Sequence, residues 1–253
     1  MKDSLKMEIN QDKNSWFEEW FDSHYYHLLY KNRDYVEAEH FINNLIHYLK
    51  PSPTSKMLDI ACGKGRHAIY INKLGYETDA FDLSENSIID AKQYQNNTLN
   101  FFINDIRKPL KLYYYDCAFN LFTSFGYFSD ENDNQQSIDA MASSLKKGGV
   151  LVIDFLNVRH TLSNLKTIET KKVEHITFDI TKELDNNFII KHIKFNDNNT
   201  DFHFTERVKL IQLTNFKNYL KKAGLTLEAI FGDYSLNPFD EENSERLIII
   251  AKK

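Results

Sequence analysis

The stretch that decides the fold is KMLDIACGKGRH, residues 56–67. Its first half is a short apolar run that predicts a strand, and the run stops at Gly63 and Gly65, after which a helical pattern begins. Glycines accept a left-handed backbone and let a ligand approach the main chain, while the N–H groups that open the next helix face the same place. The stretch therefore predicts a strand, a loop that binds a nucleotide-sized ligand, and a helix.

The alternation of strands and helices continues on both sides of this loop. We predict strands over residues 56–62, 76–81, 99–103, 116–122 and 150–155, and helices over 15–30, 34–49, 66–74, 85–95 and 130–147. Ser84 is a good N-cap for the fourth of these helices, and Gly148 and Gly149 are expected to end the fifth. Such alternation predicts an α/β fold with a Rossmann-like, doubly wound parallel sheet.

The pattern changes after residue 170. Three strand-like runs, 173–184, 188–195 and 201–213, are separated by Asp- and Asn-rich turns and predict an inserted antiparallel meander. A helix capped by Thr214 follows, and then come two strands, over 225–231 and 247–251, with no helix between them, which indicates an antiparallel pair at the sheet edge.

These patterns divide the chain into three parts. We expect a helical cap over residues 1–50, a core over 51–157 and 214–253, and an inserted β lid over 158–213.

Composition disfavours several classes of protein. The 253 residues carry a net charge of −5 and no Lys/Arg-rich tract, which disfavours a nucleic-acid partner. Cys62 and Cys117 are too few for a disulfide framework or a zinc knuckle, and no histidine spacing typical of a metal site is present. Without an apolar run of membrane-spanning length or a signal-peptide pattern, we expect a soluble cytoplasmic protein.

Two ligands compete for the glycine loop. Residues 63–68 satisfy the dinucleotide fingerprint G-x-G-x-x-A, and Asp82 lies where a ribose-binding acid is expected, which would indicate an NAD(P)-dependent oxidoreductase. However, Asp59 precedes Gly63 by four residues, and its carboxylate would lie near the negative pyrophosphate. S-adenosylmethionine (SAM), which carries an ammonium and a sulfonium beside its adenosine, removes that conflict.

The order of the motifs resembles the class I SAM-dependent methyltransferases. The matching segments are LDIACGKGRH (58–67), DLS (82–84), NDI (104–106) and residues 116–128. The resemblance implies a seven-stranded sheet with an antiparallel last strand, SAM as cofactor, and methyl transfer to a nitrogen or oxygen of a small molecule. Ala61 departs from the family pattern, which usually has a glycine there, and we expect the extra methyl group to be tolerated.

The resemblance also assigns cofactor contacts. Asp59 and the backbone of the loop would hold the methionine end, Asp82 the ribose hydroxyls, and Asp105 the adenine amino group. The complete set of cofactor residues that it implies is Asp59, Ala61, Cys62, Gly63, Gly65, Asp82, Leu83, Asn104, Asp105, Ile106, Leu121 and Phe122.

Substrate contacts are less defined, and no catalytic residue is assigned. Topology places Tyr234, Arg207 and Arg246 in segments expected near the pocket mouth, and Arg33 could pair with the cofactor carboxylate. Three alternatives stay open: the NAD(P)-dependent oxidoreductase, a noncatalytic protein that binds SAM or S-adenosylhomocysteine (SAH), and an RNA or protein methyltransferase.

Overall fold

The computed structural model describes residues 16–31 and 35–253, and the chain divides into two compact units. The larger unit contains residues 35–164 and 210–253, and the smaller contains 16–31 and 165–209. The predicted contact of Arg33 lies outside the described residues, as do the first residues of both predicted N-terminal helices.

A seven-stranded sheet forms the centre of the larger unit. Its strands are β1 (Lys56–Ile60), β2 (Glu77–Asp82), β3 (Leu99–Ile103), β4 (Tyr115–Asn120), β5 (Leu145–Leu156), β10 (Thr226–Phe231) and β11 (Arg246–Lys252). They lie in the order β10-β11-β5-β4-β1-β2-β3. Strand β11 runs opposite to the other six strands of this sheet and pairs antiparallel with β10 and β5, as the two C-terminal strand runs predicted.

Helices cover the central strands of this sheet. They are α3 (Tyr35–Leu49), α4 (Arg66–Lys73), α5 (Glu85–Ala91), α6 (Glu131–Ser144), α7 (Val158–Ser163) and α8 (Leu213–Lys222). Strand β1 is almost fully buried, with Met57 and Leu58 inaccessible to solvent, as expected for a parallel strand that is covered on both faces. The strand that leads into the glycine loop therefore lies inside the sheet and in the buried core of the larger unit.

Predicted boundaries of α6, β5 and α8 are wrong. Strand β5 begins at Leu145 and not at residue 150, so Gly148 and Gly149, which the sequence predicts as the end of the helix, lie within the strand. Helix α6 ends at Ser144 and not at Lys147, because buried Leu145 pairs with Tyr115 and requires extended backbone. Helix α8 is capped by Gln212 rather than Thr214, since the side chain of Asn215 accepts a hydrogen bond from the Gln212 N–H at 3.0 Å.

The smaller unit is a four-stranded antiparallel sheet with two short helices. Its elements are α1 (Trp16–Phe21), α2 (His24–Leu29), β6 (Ile168–Val173), β7 (Ile176–Asp185), β8 (Phe188–Asp197) and β9 (Thr200–Lys209). The sequence predicted three strands and one helix for these stretches. Ser23 separates the two helices, because its hydroxyl accepts from the Tyr26 N–H and donates to the Trp20 carbonyl.

A buried carboxylate joins α1 and α2 to the sheet of the smaller unit. Glu206 on β9 accepts hydrogen bonds from Trp20 Nε1 and the Tyr30 hydroxyl, both at 2.7 Å, and pairs with Lys191 at 3.1 Å. These contacts place the first two helices with the antiparallel sheet, whereas α3 packs in the core of the larger unit. The division therefore differs from the predicted one, in which residues 1–50 form one cap.

Across residues 16–31 and 35–253, no helix is long and apolar enough to cross a membrane.

Candidate functional site

The candidate site lies where the parallel strands of the larger unit end. Strands β1, β2, β3 and β4 are mutually parallel, so their carboxyl ends meet at one edge of the sheet. From β1 the chain continues to β2 and β3 on one side of the sheet, and it then returns to β4 and β5 on the other side of β1. Such a switch point, here between β1 and β4, forms a crevice for ligands. The glycine loop, Asp82 and the segments after β3 and β4 all occupy this edge.

The glycine loop has three residues in the left-handed region. The φ angles of Ala61, Gly63 and Gly65 are +57°, +55° and +81°. A Cβ atom at Gly65 would lie 2.5 Å from the Phe101 ring, so this glycine is required by packing. At Gly63 a Cβ would meet no atom within 4 Å, so that position opens onto space where a ligand can approach the backbone. Ala61 carries a strain that glycine would avoid.

Asp82 connects the end of β2 to this loop. One carboxylate oxygen accepts from the Gly63 N–H at 2.8 Å, and the other accepts from the Ser84 N–H at 2.9 Å. Ser84 caps α5 with its own side chain, as predicted, so Asp82 is not needed for that role.

Asp59 is buried beneath the loop. It is 1% exposed, and its carboxylate accepts a hydrogen bond from the Ala68 N–H in the first turn of α4 at 3.1 Å. Burial raises the pKa of Asp59 to about 7, with a smaller contribution from the Asp82 charge and opposition from the Ala68 hydrogen bond. The site therefore holds a carboxyl group that can gain or lose its proton near neutral pH.

The raised pKa of Asp59 makes stability depend on pH. Between about pH 4 and pH 7 the folded chain keeps a proton that the unfolded chain has lost, so stability falls as pH rises through that window. Asp59→Asn removes this titration and keeps an acceptor for the Ala68 N–H. Wild type should lose about 3 kcal/mol of unfolding free energy relative to the variant as the pH rises from 5 to 8, because the proton is worth about 1.4 kcal/mol per pH unit up to the pKa of Asp59. Urea denaturation at both pH values measures it, and parallel pH profiles for the two proteins would contradict it.

The segment after β3 is a tight turn held by an ion pair. Asp105 accepts from the Arg107 N–H at 2.8 Å and pairs with the Arg107 guanidinium at 2.6 Å. Although burial acts in the opposite direction, these hydrogen bonds from Arg107 hold the pKa of Asp105 below its ordinary value. The Asn104 side chain closes the turn by donating to the Lys108 carbonyl, and the Asn104 N–H donates to the Asp82 carbonyl.

Apolar side chains flank these acids. Leu83 is 40% exposed and Ile106 is half-buried, so both offer apolar surface beside Asp82 and Asp105. Leu121 is buried in the core under the sheet edge, and Cys62 is a buried free thiol. Burial, with the nearby Asp59 carboxylate, raises the pKa of Cys62 well above its ordinary value. A buried thiol held in its neutral form acts as a small apolar residue and not as a nucleophile.

The turn after β4 is strained and anchored by Asp154. Phe122 and Thr123 both have left-handed backbones, with φ of +60° and +61°. Asp154, a fully buried residue of β5, accepts from the Phe122 N–H at 2.8 Å, and its carbonyl accepts from the Thr123 N–H at 3.0 Å. The Phe122 ring lies under the Arg66 guanidinium, 3.9 Å away, which brings this turn to the glycine loop.

Arg246 and Tyr234, two of the predicted substrate contacts, belong to the same cluster. Arg246 Nε donates to Asp154 at 2.8 Å and its Nη2 donates to the Thr123 hydroxyl at 2.8 Å. The Tyr234 ring stacks on Phe122 with centroids 5.3 Å apart. Burial, followed by the Asp154 charge, raises the pKa of Tyr234 well above its ordinary value, so this phenol is a donor and not a base at neutral pH.

Arg207, the third predicted contact, lies in the smaller unit, where its guanidinium covers the Phe188 ring at 4.5 Å. Sequence reasoning missed Asp154, although an acid inside the apolar run VLVIDFL was a signal for a buried partner.

Among the residues that the structure describes, no group of three or more His, Cys, Asp or Glu side chains could hold a metal ion.

The methyltransferase domain family matches residues 51–224. The chain belongs to the methyltransferase family. One relative, a protein of Geobacillus sp. (strain WCH70) described as a methyltransferase, is 23% identical over 244 residues and spans 91% of this chain and 98% of its own. Another, the dTDP-3-amino-3,4,6-trideoxy-alpha-D-glucopyranose N,N-dimethyltransferase of Streptomyces venezuelae, is 29% identical over 133 residues, or 51% of this chain and 54% of its own.

Two solved structures are similar in fold to this methyltransferase over most of its length. A SAM-dependent methyltransferase from Clostridium acetobutylicum ATCC 824 has a TM-score of 0.76 at 19% identity, covering 90% of this chain and 95% of its own. The sugar N-methyltransferase KedS8 from Streptoalloteichus sp. ATCC 53650 has a TM-score of 0.69 at 20% identity, covering 90% and 92%. The enzyme is thus a SAM-dependent methyltransferase, and the oxidoreductase alternative is set aside.

Proposed function

We propose that this methyltransferase transfers the methyl group of SAM to a nitrogen or oxygen atom of a small molecule. The observation that carries the proposal is the 29% identity with an N,N-dimethyltransferase of a nucleotide-linked amino sugar. The architecture adds support, because the sugar N-methyltransferase KedS8 is similar over 90% of the chain. An amine attached to a sugar is therefore the first acceptor to test.

The charge of the chain also favours a small acceptor. A net charge of −5 and the lack of a Lys/Arg-rich tract in the sequence disfavour binding to the phosphates of an RNA. Tracts of that kind supply most of the affinity of proteins that bind nucleic acids without regard to sequence.

We further propose that the residues at the sheet edge hold the cofactor as the family resemblance implies. Asp82 would accept hydrogen bonds from the ribose hydroxyls, Leu83 and Ile106 would contact the adenine, and Asp59 would face the ammonium. The open space beside Gly63 fits a ligand that lies against the backbone. The remaining proposed contacts are Ala61, Cys62, Gly65, Asn104, Asp105, Leu121 and Phe122.

The contact of Asp105 with the adenine is expected to be weak. The Asp105 carboxylate already holds the Arg107 guanidinium at 2.6 Å. An adenine amino group would have to share Asp105 with that ion pair, so we expect this contact to add little to nucleoside affinity.

The chemistry needs positioning more than a strong acid or base. Methyl transfer from a sulfonium is an in-line displacement in which the positive charge leaves sulfur, so the chain contributes by holding donor and acceptor in line. A base is needed only when the acceptor carries a proton at neutral pH. Tyr234 is held protonated, so its proposed part is to donate a hydrogen bond and to pack against Phe122.

Replacing Asp82 tests the cofactor site. We expect Asp82→Ala to weaken SAH binding by about 1.5–3 kcal/mol, because the acceptor that it removes is charged. Calorimetry measures the dissociation constant. Ser84→Ala is the matched control, since it removes the cap of α5 and leaves Asp82 in place, so it should lower stability by about 1 kcal/mol and spare SAH affinity. An unchanged dissociation constant for Asp82→Ala would show that Asp82 only orders the loop.

The acceptor class is tested with SAM labelled on its methyl group. The protein is incubated with nucleotide-linked amino sugars, simple amines and phenols, and separately with total RNA and with protein extract, and Asp82→Ala serves as the background. We expect label and SAH to appear with a small amine or hydroxyl compound. Label found only in RNA or protein would overturn the small-molecule proposal, and SAH binding without transfer to any of these acceptors would favour the noncatalytic alternative.

A further inference from the structure

The imidazole of His67 is a buried polar group that the fold leaves incompletely bonded. His67 is 5% exposed, and its Nε2 atom is buried with no hydrogen-bond partner. Buried polar side chains nearly always have a partner, and an unsatisfied one is costly. A buried nitrogen without a partner therefore calls for a ligand or a structural reason.

The position of His67 points to a ligand. His67 is the second residue of α4, directly after the glycine loop, and its ring lies 5.2 Å from the Phe122 ring in the turn after β4. The two segments are the loop ends on either side of the switch point, where ligands bind in sheets of this type.

The charges around His67 select the kind of group. Burial, and then the neighbouring Arg66 charge, hold the pKa of His67 well below its ordinary value, so the ring is neutral and has one donor and one acceptor nitrogen. Arg66 and the first turn of α4 both favour a negative group here. Asp59, by contrast, is the acidic group proposed to face the ammonium.

We propose that His67 Nε2 donates a hydrogen bond to the carboxylate at the amino-acid end of the cofactor. The inference rests on the cofactor site proposed above and adds to it a residue that recognises the methionine moiety. With Asp59 on the ammonium and His67 on the carboxylate, the loop would recognise both charges of an amino acid. Ligands without that end would lose the contact, whatever the affinity of the nucleoside part.

Ligand truncation isolates this contact from the rest of the site. Calorimetry with the whole chain compares SAH, which has both charged groups, with 5′-methylthioadenosine, which has neither. His67→Phe fills the volume without a polar nitrogen, and His67→Gln retains an N–H near the position of Nε2. We expect His67→Phe to weaken SAH at least tenfold and to leave 5′-methylthioadenosine unchanged, while His67→Gln keeps most of the SAH affinity.

Two further measurements exclude a merely structural role. The ligand-free His67→Phe protein should unfold at a temperature no lower than wild type, because the substitution removes an unpaired polar atom. Decarboxylated SAM retains the ammonium and lacks the carboxylate, so the affinity difference between wild type and His67→Phe should vanish with it.

Several results would overturn the proposal. Equal losses for SAH and 5′-methylthioadenosine would make His67 a packing residue of the loop, and an unchanged SAH affinity would exclude the contact. A loss that persists with decarboxylated SAM would assign His67 to the ammonium instead. If His67→Phe does not fold, His67→Leu and His67→Gln give the same comparison. Wild-type protein that binds neither ligand would show that the cofactor site, and not His67, is misassigned.

Discussion

Replacing Asp154 with alanine is expected to lower the free energy of unfolding by about 3–5 kcal/mol. Asp154 is fully buried, and its carboxylate is the partner of the largely buried Arg246 guanidinium at 2.8 Å. Removing one member of such a pair leaves the other charge without compensation in a site of low polarity. The Phe122 N–H would lose its acceptor as well.

Urea denaturation at pH 7 measures the loss. Asp154→Asn is the isosteric variant, whose amide oxygen can still accept from the Phe122 N–H. Its NH2 group would then face the Arg246 guanidinium without a compensating charge, so we expect it to recover only the part of the loss that comes from Phe122. The double variant Asp154→Leu with Arg246→Met removes both charges and should recover much of the stability, since an apolar replacement of a buried pair is often neutral. A single Asp154→Ala variant within about 1 kcal/mol of wild type would show that water reaches and solvates Arg246.

Gly65→Ala is expected to have the second-largest effect, a loss of about 2–5 kcal/mol of unfolding free energy. The backbone of Gly65 is left-handed, at φ +81°, which costs an L-residue about 1–2 kcal/mol. Its new methyl group would also lie 2.5 Å from the buried Phe101 ring, and overpacking a core adds about 1–3 kcal/mol. Because Gly65 directly precedes α4, the start of that helix and the backbone of the glycine loop would both shift.

Gly63→Ala is the matched control for this prediction. Its φ of +55° is also left-handed, but no atom lies within 4 Å of the new methyl group. We expect it to cost only about 1 kcal/mol of stability and to weaken SAH binding, because the methyl group would enter the proposed ligand space. Phe101→Leu should reduce the loss caused by Gly65→Ala. Equal stability losses at Gly63 and Gly65 would contradict the packing argument.

The parts of the fold that depend on local chemistry could be predicted from the sequence. The glycine loop, the cap at Ser84 and the strand over Leu99–Ile103 are set by neighbouring residues, and the structure has them as expected. The antiparallel close of the sheet followed from two strands joined without a helix. In each case the deciding groups lie within a few residues of one another in the chain.

The features that the sequence did not predict depend on tertiary contacts. The break between α1 and α2 at Ser23 was not predicted. The hydrogen bond that holds the end of α2 to the sheet joins Tyr30 to Glu206, 176 residues away in the chain. The pairing of Asp154 with Arg246 spans 92 residues, so no spacing in the sequence reveals it. At Asp105 the sequence permitted either a turn or an adenine contact. The structure has the turn, closed by the ion pair with Arg107, and the adenine contact stays a prediction.

The buried carboxylate of Glu206 has a consequence for the order of folding. Strands β6 to β9 form a chain of hairpins between sequence neighbours, which pay little loop-closure entropy and can form early. The donors from Trp20 and Tyr30, however, come from 186 and 176 residues away in the chain. We therefore expect the hairpins to form first with Glu206 and Lys191 still hydrated. Docking of the two N-terminal helices would then be the slow, nonlocal step that completes the smaller unit.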